Sequence, residues 1–378
     1  MARTIMLSRD SVNAVKENMI ISQETYDTLI FFKNKIDTFD NSKVWDRAKK
    51  LSNDYELIHL PNKRNKKDSI ALHDPLSRSY FKMWEMIQEF MLFDTQNNSP
   101  VTILCLAEGP GGFIEAINNY RKPIQDVIYG ITLKSNHKDI PGWRKSHNFL
   151  RDNPNIIITY GADATGNIYK LDNIKYLSDT VKKAYLITAD GGFDFSGDFN
   201  NQEKLSYRIV FCEIVSALTT QQINGHFVCK IFDIHSIVTV RLLYILSFYY
   251  ETVFITKPLT SRPANSEKYI ICKKFKGISP KDLYHYFNII TYWCDIPDET
   301  LLLNNIIVPP YFIKQIYDYN EYITHKQIEN IKKTLDIIEN EENLTTIAKI
   351  VEIQKENALS WCDNYNVEIN TTSSYLSK

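Results

Sequence analysis

Three charged residues stand at the ends of apolar segments that predict buried strands. Asp190 ends the segment KAYLITAD, Lys230 lies late in GHFVCKIF, and Glu267 opens EKYIICKKF. About forty residues separate Asp190 from Lys230, which fits one helix-and-strand crossover between parallel neighbours. Taken singly, each charge is more often structural, because a lysine near a strand end usually reaches out to solvent. Three charges that converge at one ligand-binding edge favour a functional role over a structural one.

A glycine-rich turn points to the same edge. The segment LCLAEGPGGFIEAI joins an apolar strand to a helix. Ligands of open α/β sheets bind at the carboxyl ends of the strands, and glycines let backbone approach them closely. The pattern is neither G-x-G-x-x-G nor a P-loop, so it favours a ligand without a phosphate group, such as S-adenosylmethionine. Glu108 or the adjoining backbone could hold its ammonium group, and an ordinary strand-to-helix turn stays open as the alternative.

Short apolar strands alternate with helices from about residue 96 to residue 276. The predicted strands are VTILCLAE, DVIYGITL, IIITYGA, KAYLITAD, GHFVCKIFD, ETVFITKP and EKYIICKKF. Continuous apolar strands indicate a sheet covered on both faces, hence a doubly wound α/β domain. The last two strands are separated only by LTSRPANS, which is too short for a helical crossover, so the last strand is predicted to be antiparallel. Its first residue, Glu267, then lies at the same edge as Asp190 and Lys230.

Helical periodicity predicts flanking regions over residues 1–95 and 277–378. The first contains a basic segment, PNKRNKKD at 61–68, and then a helix that Asp74 and Pro75 open and that carries Lys82. In the second, Ile328, Ile331, Leu335 and Ile338 share one helix face. The polar tail after Asn366 is expected to fray.

Composition excludes few functions. The formal net charge is −1, so only local basic clusters could indicate a nucleic-acid partner. No run of about 18 apolar residues occurs, and the N-terminus lacks the apolar core of a signal peptide, so we expect a cytoplasmic protein that is not secreted and has no membrane partner. The six cysteines form no C-x-x-C pair and predict buried, reduced thiols, with no metal site: Cys105, Cys212, Cys229, Cys272, Cys294 and Cys362.

The chain resembles the FtsJ-type 2′-O-ribose methyltransferases, specifically the mRNA cap-1 enzymes. The motifs that carry the resemblance span residues 77 to about 275: SRSYFKM, LAEGPGGF, GITLK, TADGGFDF, GHFVCKIFD and KPLTSRPANSEKYIICK. The family's Lys-Asp-Lys-Glu tetrad falls on Lys82, Asp190, Lys230 and Glu267. The resemblance implies an active enzyme with a Rossmann-like fold, a mostly parallel sheet of seven strands whose last is antiparallel. The composition also resembles that of copies encoded by large DNA viruses.

The resemblance implies S-adenosylmethionine as cofactor. The substrate would be the 5′ end of capped mRNA, methylated on the ribose 2′-hydroxyl of the first transcribed nucleotide, and other capping-machinery subunits are open as partners. The cofactor positions that carry over are Glu108, Gly109, Pro110, Gly111, Gly112, Phe113, Asp163 and Asp190. Asp163, in GADATGNI, matches the acidic residue that reads the adenine, whereas GITLKSN offers no carboxylate for the cofactor's ribose.

Basic residues are the candidates for contact with RNA phosphates: Lys63, Arg64, Lys66, Lys67, Lys134, Lys257 and Arg262. For the run at 63–67, a solvated loop is an equal alternative. Lys230 is the predicted central group, acting either as a neutral general base or as a charged stabiliser of the developing alkoxide. Two further functions stay open, a methyltransferase for internal ribosomal or transfer RNA and a non-catalytic RNA-binding capping subunit.

Overall fold

The computed structural model describes most of the chain. The residues it describes are 3–7, 19–38, 43–60, 68–93, 99–135, 137, 140–192, 201–293, 303, 305–340 and 343–376. Within them, no helix is both long and apolar enough to cross a membrane. The five cysteines in this part of the chain are buried free thiols, as predicted: Cys105, Cys212, Cys229, Cys272 and Cys362.

A mixed sheet of eight strands forms the centre of the fold. The strands are β1 (Thr4–Leu7), β2 (Thr102–Leu106), β3 (Val127–Ile131), β4 (Ile156–Thr159), β5 (Ala184–Ala189), β6 (Gln221–Ile231), β7 (Tyr250–Thr256) and β8 (Lys268–Phe275). Their order across the sheet is β1-β7-β8-β6-β5-β2-β3-β4. Strands β2 to β6 pair in parallel, and β8 is antiparallel to both β6 and β7, which confirms the predicted α/β class and the antiparallel last strand.

The prediction of seven strands was wrong by one. Strand β1 comes from the N-terminal region that was predicted to be helical, and it pairs antiparallel with β7 from Thr4↔Thr256 to Leu7↔Val253. The Thr4 and Thr256 hydroxyls lie 2.7 Å apart across this pair. A four-residue edge strand carries too little alternation to be recognised alone, because its conformation depends on the partner strand.

Helices cover both faces of the sheet. They are α1 (Gln23–Asp37), α2 (Lys43–Leu51), α3 (Ser79–Glu89), α4 (Gly112–Arg121), α5 (His147–Asp152), α6 (Leu171–Val181), α7 (Gln202–Thr220), α8 (Ile237–Tyr249), α9 (Pro280–Tyr292), α10 (Pro310–Glu339) and α11 (Leu344–Asn364). On β2, Leu104 and Leu106 belong to one apolar cluster, with α7 and α8, while Ile103 and Cys105 belong to another, with α3, α4 and α11. Alternate residues of one strand therefore serve two cores, as continuous apolar strands predict.

Helix α3 begins later than predicted. The sequence favoured a start at Asp74-Pro75, but the helix starts at Ser79. Glu115 of α4 accepts a hydrogen bond from Leu76 N at 2.8 Å, and its other oxygen lies 2.9 Å from His73 Nε2. Glu115 thus holds the segment at 73–76 against α4, and residues 74–78 run outside α3.

The expectation of a frayed tail was wrong. Residues 368–373 lie along residues 68–72, where Ala71 and Ile369 form an antiparallel bridge. Asn370 N donates to Ile70 O at 2.8 Å, and Leu72 N donates to Glu368 O at 2.8 Å. The polar tail is ordered because its backbone hydrogen-bonds to the segment that leads into α3.

Candidate active site

Three of the four predicted catalytic residues are placed by the sheet. Asp190 directly follows β5, Lys230 is the penultimate residue of β6, and Glu267 directly precedes β8. In the parallel pair β5–β6, Ala189 lies opposite Cys229, so the next residues, Asp190 and Lys230, lie side by side at this edge of the sheet. Strand β8 starts at this same edge because it runs antiparallel to β6.

Lys230 and Asp190 form the first ion pair of the site. Lys230 Nζ lies 3.2 Å from Asp190 Oδ1 and donates to the Asp190 backbone oxygen at 2.8 Å. Tyr269 OH donates to the same Oδ1 at 3.1 Å. A Cβ added at Gly192 would lie 3.1 Å from Lys230 Nζ, so the glycine keeps the approach to the ammonium group open.

Lys82 and Glu267 form the second ion pair. Lys82, on α3, lies 2.7 Å from Glu267 Oε1, and Ser261 Oγ donates to that same oxygen at 2.7 Å. The backbone oxygen of Glu267 accepts from Lys257 Nζ at 2.8 Å. The structure thus brings together all four residues that the sequence singled out, arranged as two pairs.

One member of each pair, Lys230 and Glu267, is held in its charged form by its neighbours. Burial favours a neutral Lys230, but the carboxylates of Asp190 and Glu267 outweigh it and raise the pKa of Lys230 above its ordinary value. Burial likewise opposes ionisation of Glu267, but Lys82 and Lys230 outweigh it and lower the Glu267 pKa to about 2. At neutral pH the site therefore presents an ammonium group flanked by carboxylates.

The glycine turn lies between β2 and α4, beside the first pair. Gly111 has φ +108°, a left-handed conformation that side chains rarely adopt, and a Cβ at Gly112 would lie 2.2 Å from both Ser77 Oγ and Ser79 Oγ. Behind the turn, Pro110 O accepts from Ser146 Oγ, and a Cβ at Gly109 would lie 2.8 Å from Pro141 O. These contacts require glycine at the turn.

Glu108 has the features expected of a ligand for an ammonium group. It is 2% exposed, and its Oε1 accepts from Phe113 N at 2.7 Å. Its Oε2 is buried without a hydrogen-bond partner in the described structure. Burial and the neighbouring Asp190 carboxylate raise the pKa of Glu108 well above its ordinary value, and an ammonium group bound at Oε2 would favour the ionised carboxylate. A buried carboxylate oxygen with spare accepting capacity fits the amino group of a methionine-derived ligand.

Asp163 lies in the loop after β4, and its carboxylate already has partners. Lys170 Nζ lies 2.6 Å from Oδ2, while Oδ1 accepts from Asn173 Nδ2 at 2.9 Å and from Thr165 Oγ1 at 2.7 Å. The hydrogen bond from Lys170 is the largest of the contacts that hold the Asp163 pKa well below its usual range. An adenine would therefore meet a carboxylate that is fixed in place by its neighbours.

The basic residues that are candidates for RNA contact differ in their exposure and in the partners that they already have. Lys134 is exposed, with Nζ 5.3 Å from the centre of the Tyr160 ring. Arg262 Nη2 is 2.9 Å from Oε1 of the buried Glu56. Lys257 is buried and donates to both oxygens of Asn265. The basic run Lys63, Arg64, Lys66 and Lys67 lies outside the described residues.

Sequence reasoning missed Tyr269, which contacts Asp190, and two buried carboxylates that contact residues near the tetrad. Tyr269 lies two residues after Glu267, and the alternation of a strand places such residues on one face, so this signal was present. Glu85 and Glu213 are wholly buried carboxylates within apolar helical segments, MWEMI and FCEIV. A buried charge usually has specific partners, which was the available signal for both.

The chain is similar to a known protein family and to several named proteins. The model of a family described as FtsJ-like methyltransferase matches residues 75–275, just over half of the chain. Proteins named cap-specific mRNA (nucleoside-2′-O-)-methyltransferase 1 are also similar. The one from Dictyostelium discoideum is 30% identical over 330 residues, covering 79% of this chain and 41% of its own length. The mouse protein is 30% identical over 338 residues, covering 82% and 38%. The chain thus spans about two fifths of the length of these relatives.

Proposed function

The chain belongs to the FtsJ-like methyltransferase family, and from this premise we propose that it methylates the ribose 2′-hydroxyl of the first transcribed nucleotide of capped mRNA. The methyl donor is S-adenosylmethionine. The observation that carries the proposal is the meeting of two ion pairs, Lys230–Asp190 and Lys82–Glu267, at the edge that also holds the glycine turn. The relatives' names supply the substrate class.

The residues of the glycine turn suit the methionine part of the cofactor. Glu108 Oε2 would accept from the ammonium group, and the first residue of α4, Gly112, would offer its backbone N–H group to the carboxylate. Asp163 would contact the adenine from the loop after β4. When bound, the cofactor supplies an electrophilic methyl group on a sulfonium sulfur.

Lys230 is the group that we assign to the reacting oxygen. A ribose hydroxyl is a weak acid, so negative charge that develops on its oxygen must be stabilised. Of the two roles open from the sequence, the raised pKa of Lys230 favours the charged form, which stabilises an alkoxide and cannot take its proton. The O–H bond breaks as the O–CH₃ bond forms, and the carboxylate of Asp190, 3.2 Å from Lys230 Nζ, would accept that proton.

The second ion pair then has a supporting role. Glu267 contributes to the charge of Lys230, and Lys82 keeps Glu267 ionised at 2.7 Å. Lys134, Arg262 and the basic run at 63–67 are the proposed contacts to RNA phosphates. Arg262 would have to bind phosphate while paired with Glu56 or exchange that partner.

Because a capped end is the substrate, another activity must build the cap first, and we expect capping-machinery subunits as partners.

Transfer of a tritiated methyl group from S-adenosylmethionine tests the proposal. The RNAs are identical in sequence and carry either a cap or a 5′-triphosphate, and nuclease digestion then locates the label. We expect label on the 2′-oxygen of the first nucleotide of capped RNA only. Equal label on uncapped RNA or at internal positions would favour an enzyme for ribosomal or transfer RNA. Absence of both transfer and cofactor binding by calorimetry would favour a non-catalytic subunit.

A further inference from the structure

Glu85, three residues after Lys82 on α3, is wholly buried and receives hydrogen bonds from three separate segments of the chain. Its Oε1 accepts from Leu259 N at 2.7 Å and from Arg3 Nη1 at 2.6 Å. Its Oε2 accepts from Thr260 N at 3.2 Å, from Thr260 Oγ1 at 3.2 Å and from Trp361 Nε1 at 3.3 Å. The exposed fraction of its side chain is 0%.

The positions of these donors show which parts of the chain the Glu85 carboxylate connects. Leu259 and Thr260 lie in the loop at 257–267 that joins β7 to β8, which we term the 257–267 loop, and this loop ends at Glu267. Arg3 directly precedes β1, and Trp361 lies on α11. Because Lys82 and Glu85 share one helix, the Glu85 carboxylate joins the element that carries Lys82 to the loop that carries Glu267.

We propose that Glu85 is a positioning residue for the second ion pair: it holds the 257–267 loop against α3 so that Glu267 meets Lys82. Arg3 before β1 and Trp361 on α11 donate to the same carboxylate, so the N-terminal and C-terminal regions of the chain both brace this contact. The kinetic part of this inference rests on the proposed methyl transfer, whereas the structural part does not.

The partners of Glu85 explain why a carboxylate stands at this position. Each of the five contacts donates to it, from two backbone amides, a hydroxyl, an indole and a guanidinium. An ionised carboxylate only accepts, so it can serve all five donors. An amide of the same shape would turn an NH₂ group toward some of them and leave buried donors unsatisfied. Glutamine, usually a mild replacement for glutamate, is therefore expected to disrupt this contact.

The test compares Glu85→Gln with a matched control, Glu89→Gln. Glu89 lies one turn further along α3, also pairs with Arg3, and accepts from Tyr365 OH at 2.6 Å, but its partners lie outside the 257–267 loop. We expect Glu85→Gln to lower kcat by about tenfold or more, because the second pair loses its alignment. The Kd for S-adenosylmethionine, which binds at the glycine turn, should stay within about threefold of wild type. Glu89→Gln should leave both quantities within that range.

Hydrogen exchange supplies a readout that needs no activity. The amides of Leu259 and Thr260 should exchange faster in Glu85→Gln than in wild type and at the wild-type rate in Glu89→Gln. If wild type transfers no methyl group to any RNA, the proposed function fails, and the exchange rates alone decide this inference. A folded Glu85→Gln protein with wild-type exchange at these amides overturns it, whatever its kcat.

A second variant tests the same contact if Glu85→Gln does not fold. Thr260→Val removes one donor to Glu85 and keeps the side-chain shape and the backbone amide. We expect faster exchange at residues 259 and 260 and a kcat lowered by about threefold, since one of five contacts is lost. Unchanged exchange and unchanged kcat in this variant would overturn the inference.

Discussion

The two ion pairs of the candidate active site are built in different ways. Asp190 and Lys230 end neighbouring parallel strands, and the register of β5 and β6 places them side by side. Lys82 and Glu267 instead lie on a helix from the N-terminal region and at the end of a long loop, and their meeting depends on Ser261, Lys257 and Glu85. The sheet alone can thus position the first pair, whereas the second pair needs the flanking regions.

The largest expected effect is a loss of kcat, and its size should differ between the two lysines of the site. Lys230→Ala should lower kcat by about a thousandfold or more, because it removes the charge beside the reacting oxygen. Lys82→Ala should lower kcat by only about ten- to a hundredfold, because Lys82 acts through Glu267. Single-turnover methyl transfer to capped RNA measures both, and calorimetry should show cofactor Kd values within about threefold of wild type.

Lys273→Ala is the matched control for the two lysine variants. Lys273 lies on β8, and its Nζ donates to Phe90 O at 2.6 Å, away from the tetrad. Its removal should leave transfer unchanged. Wild-type turnover in Lys230→Ala would refute the assignment of that lysine. Equal losses in both variants would mean that the two pairs act as one unit and that the comparison fails.

A smaller effect, on the free energy of unfolding, tests a buried carboxylate that lies beside the first ion pair. Glu213, on α7, is wholly buried and accepts from Gly191 N at 3.1 Å and from Cys229 Sγ at 3.6 Å, next to Asp190 and Lys230 respectively. Burial raises the pKa of Glu213 from 4.5 to about 8. Between these values the folded state binds more protons than the unfolded chain, so stability falls as pH rises through this window, by up to about 1.4 kcal/mol per pH unit.

Glu213→Gln removes this pH dependence and keeps an oxygen acceptor for Gly191 N. Urea unfolding should show that the variant gains stability relative to wild type between pH 5.5 and pH 8.5. Glu251→Gln is the control, since Glu251 is an exposed residue of β7 paired with Lys274 at 3.1 Å. A stability difference between Glu213→Gln and wild type that is the same at both pH values would contradict the assignment.

Much of the fold and the position of the site follow from the sequence, for a physical reason. Apolar strands buried on both faces are recognisable from their own residues, and the carboxyl ends of parallel strands must share one edge. This argument applied to Asp190, Lys230 and Glu267, which the structure does bring to one edge, while their catalytic roles stay predictions.

The features that the sequence did not predict depend on tertiary contacts. Strand β1 exists because β7 pairs with it, and the segment before α3 is held by Glu115, which lies 39 residues after Leu76 in the chain. Glu85 stands in an apolar stretch of α3, and nothing near it in sequence shows that its donors come from residues 3, 259, 260 and 361. The adenine role of Asp163, the RNA contacts and the region boundaries at 95 and 276 stay predictions.

A crystal structure with S-adenosylhomocysteine and a short capped RNA would test the central claim most directly. The quantity to measure is the distance from Lys230 Nζ to the 2′-oxygen of the first transcribed nucleotide. We predict hydrogen-bond contact, about 3 Å, with the same 2′-oxygen facing the cofactor sulfur across the gap that a methyl group would fill. A first-nucleotide ribose held elsewhere, or Lys230 Nζ turned away from its 2′-oxygen, would contradict the account.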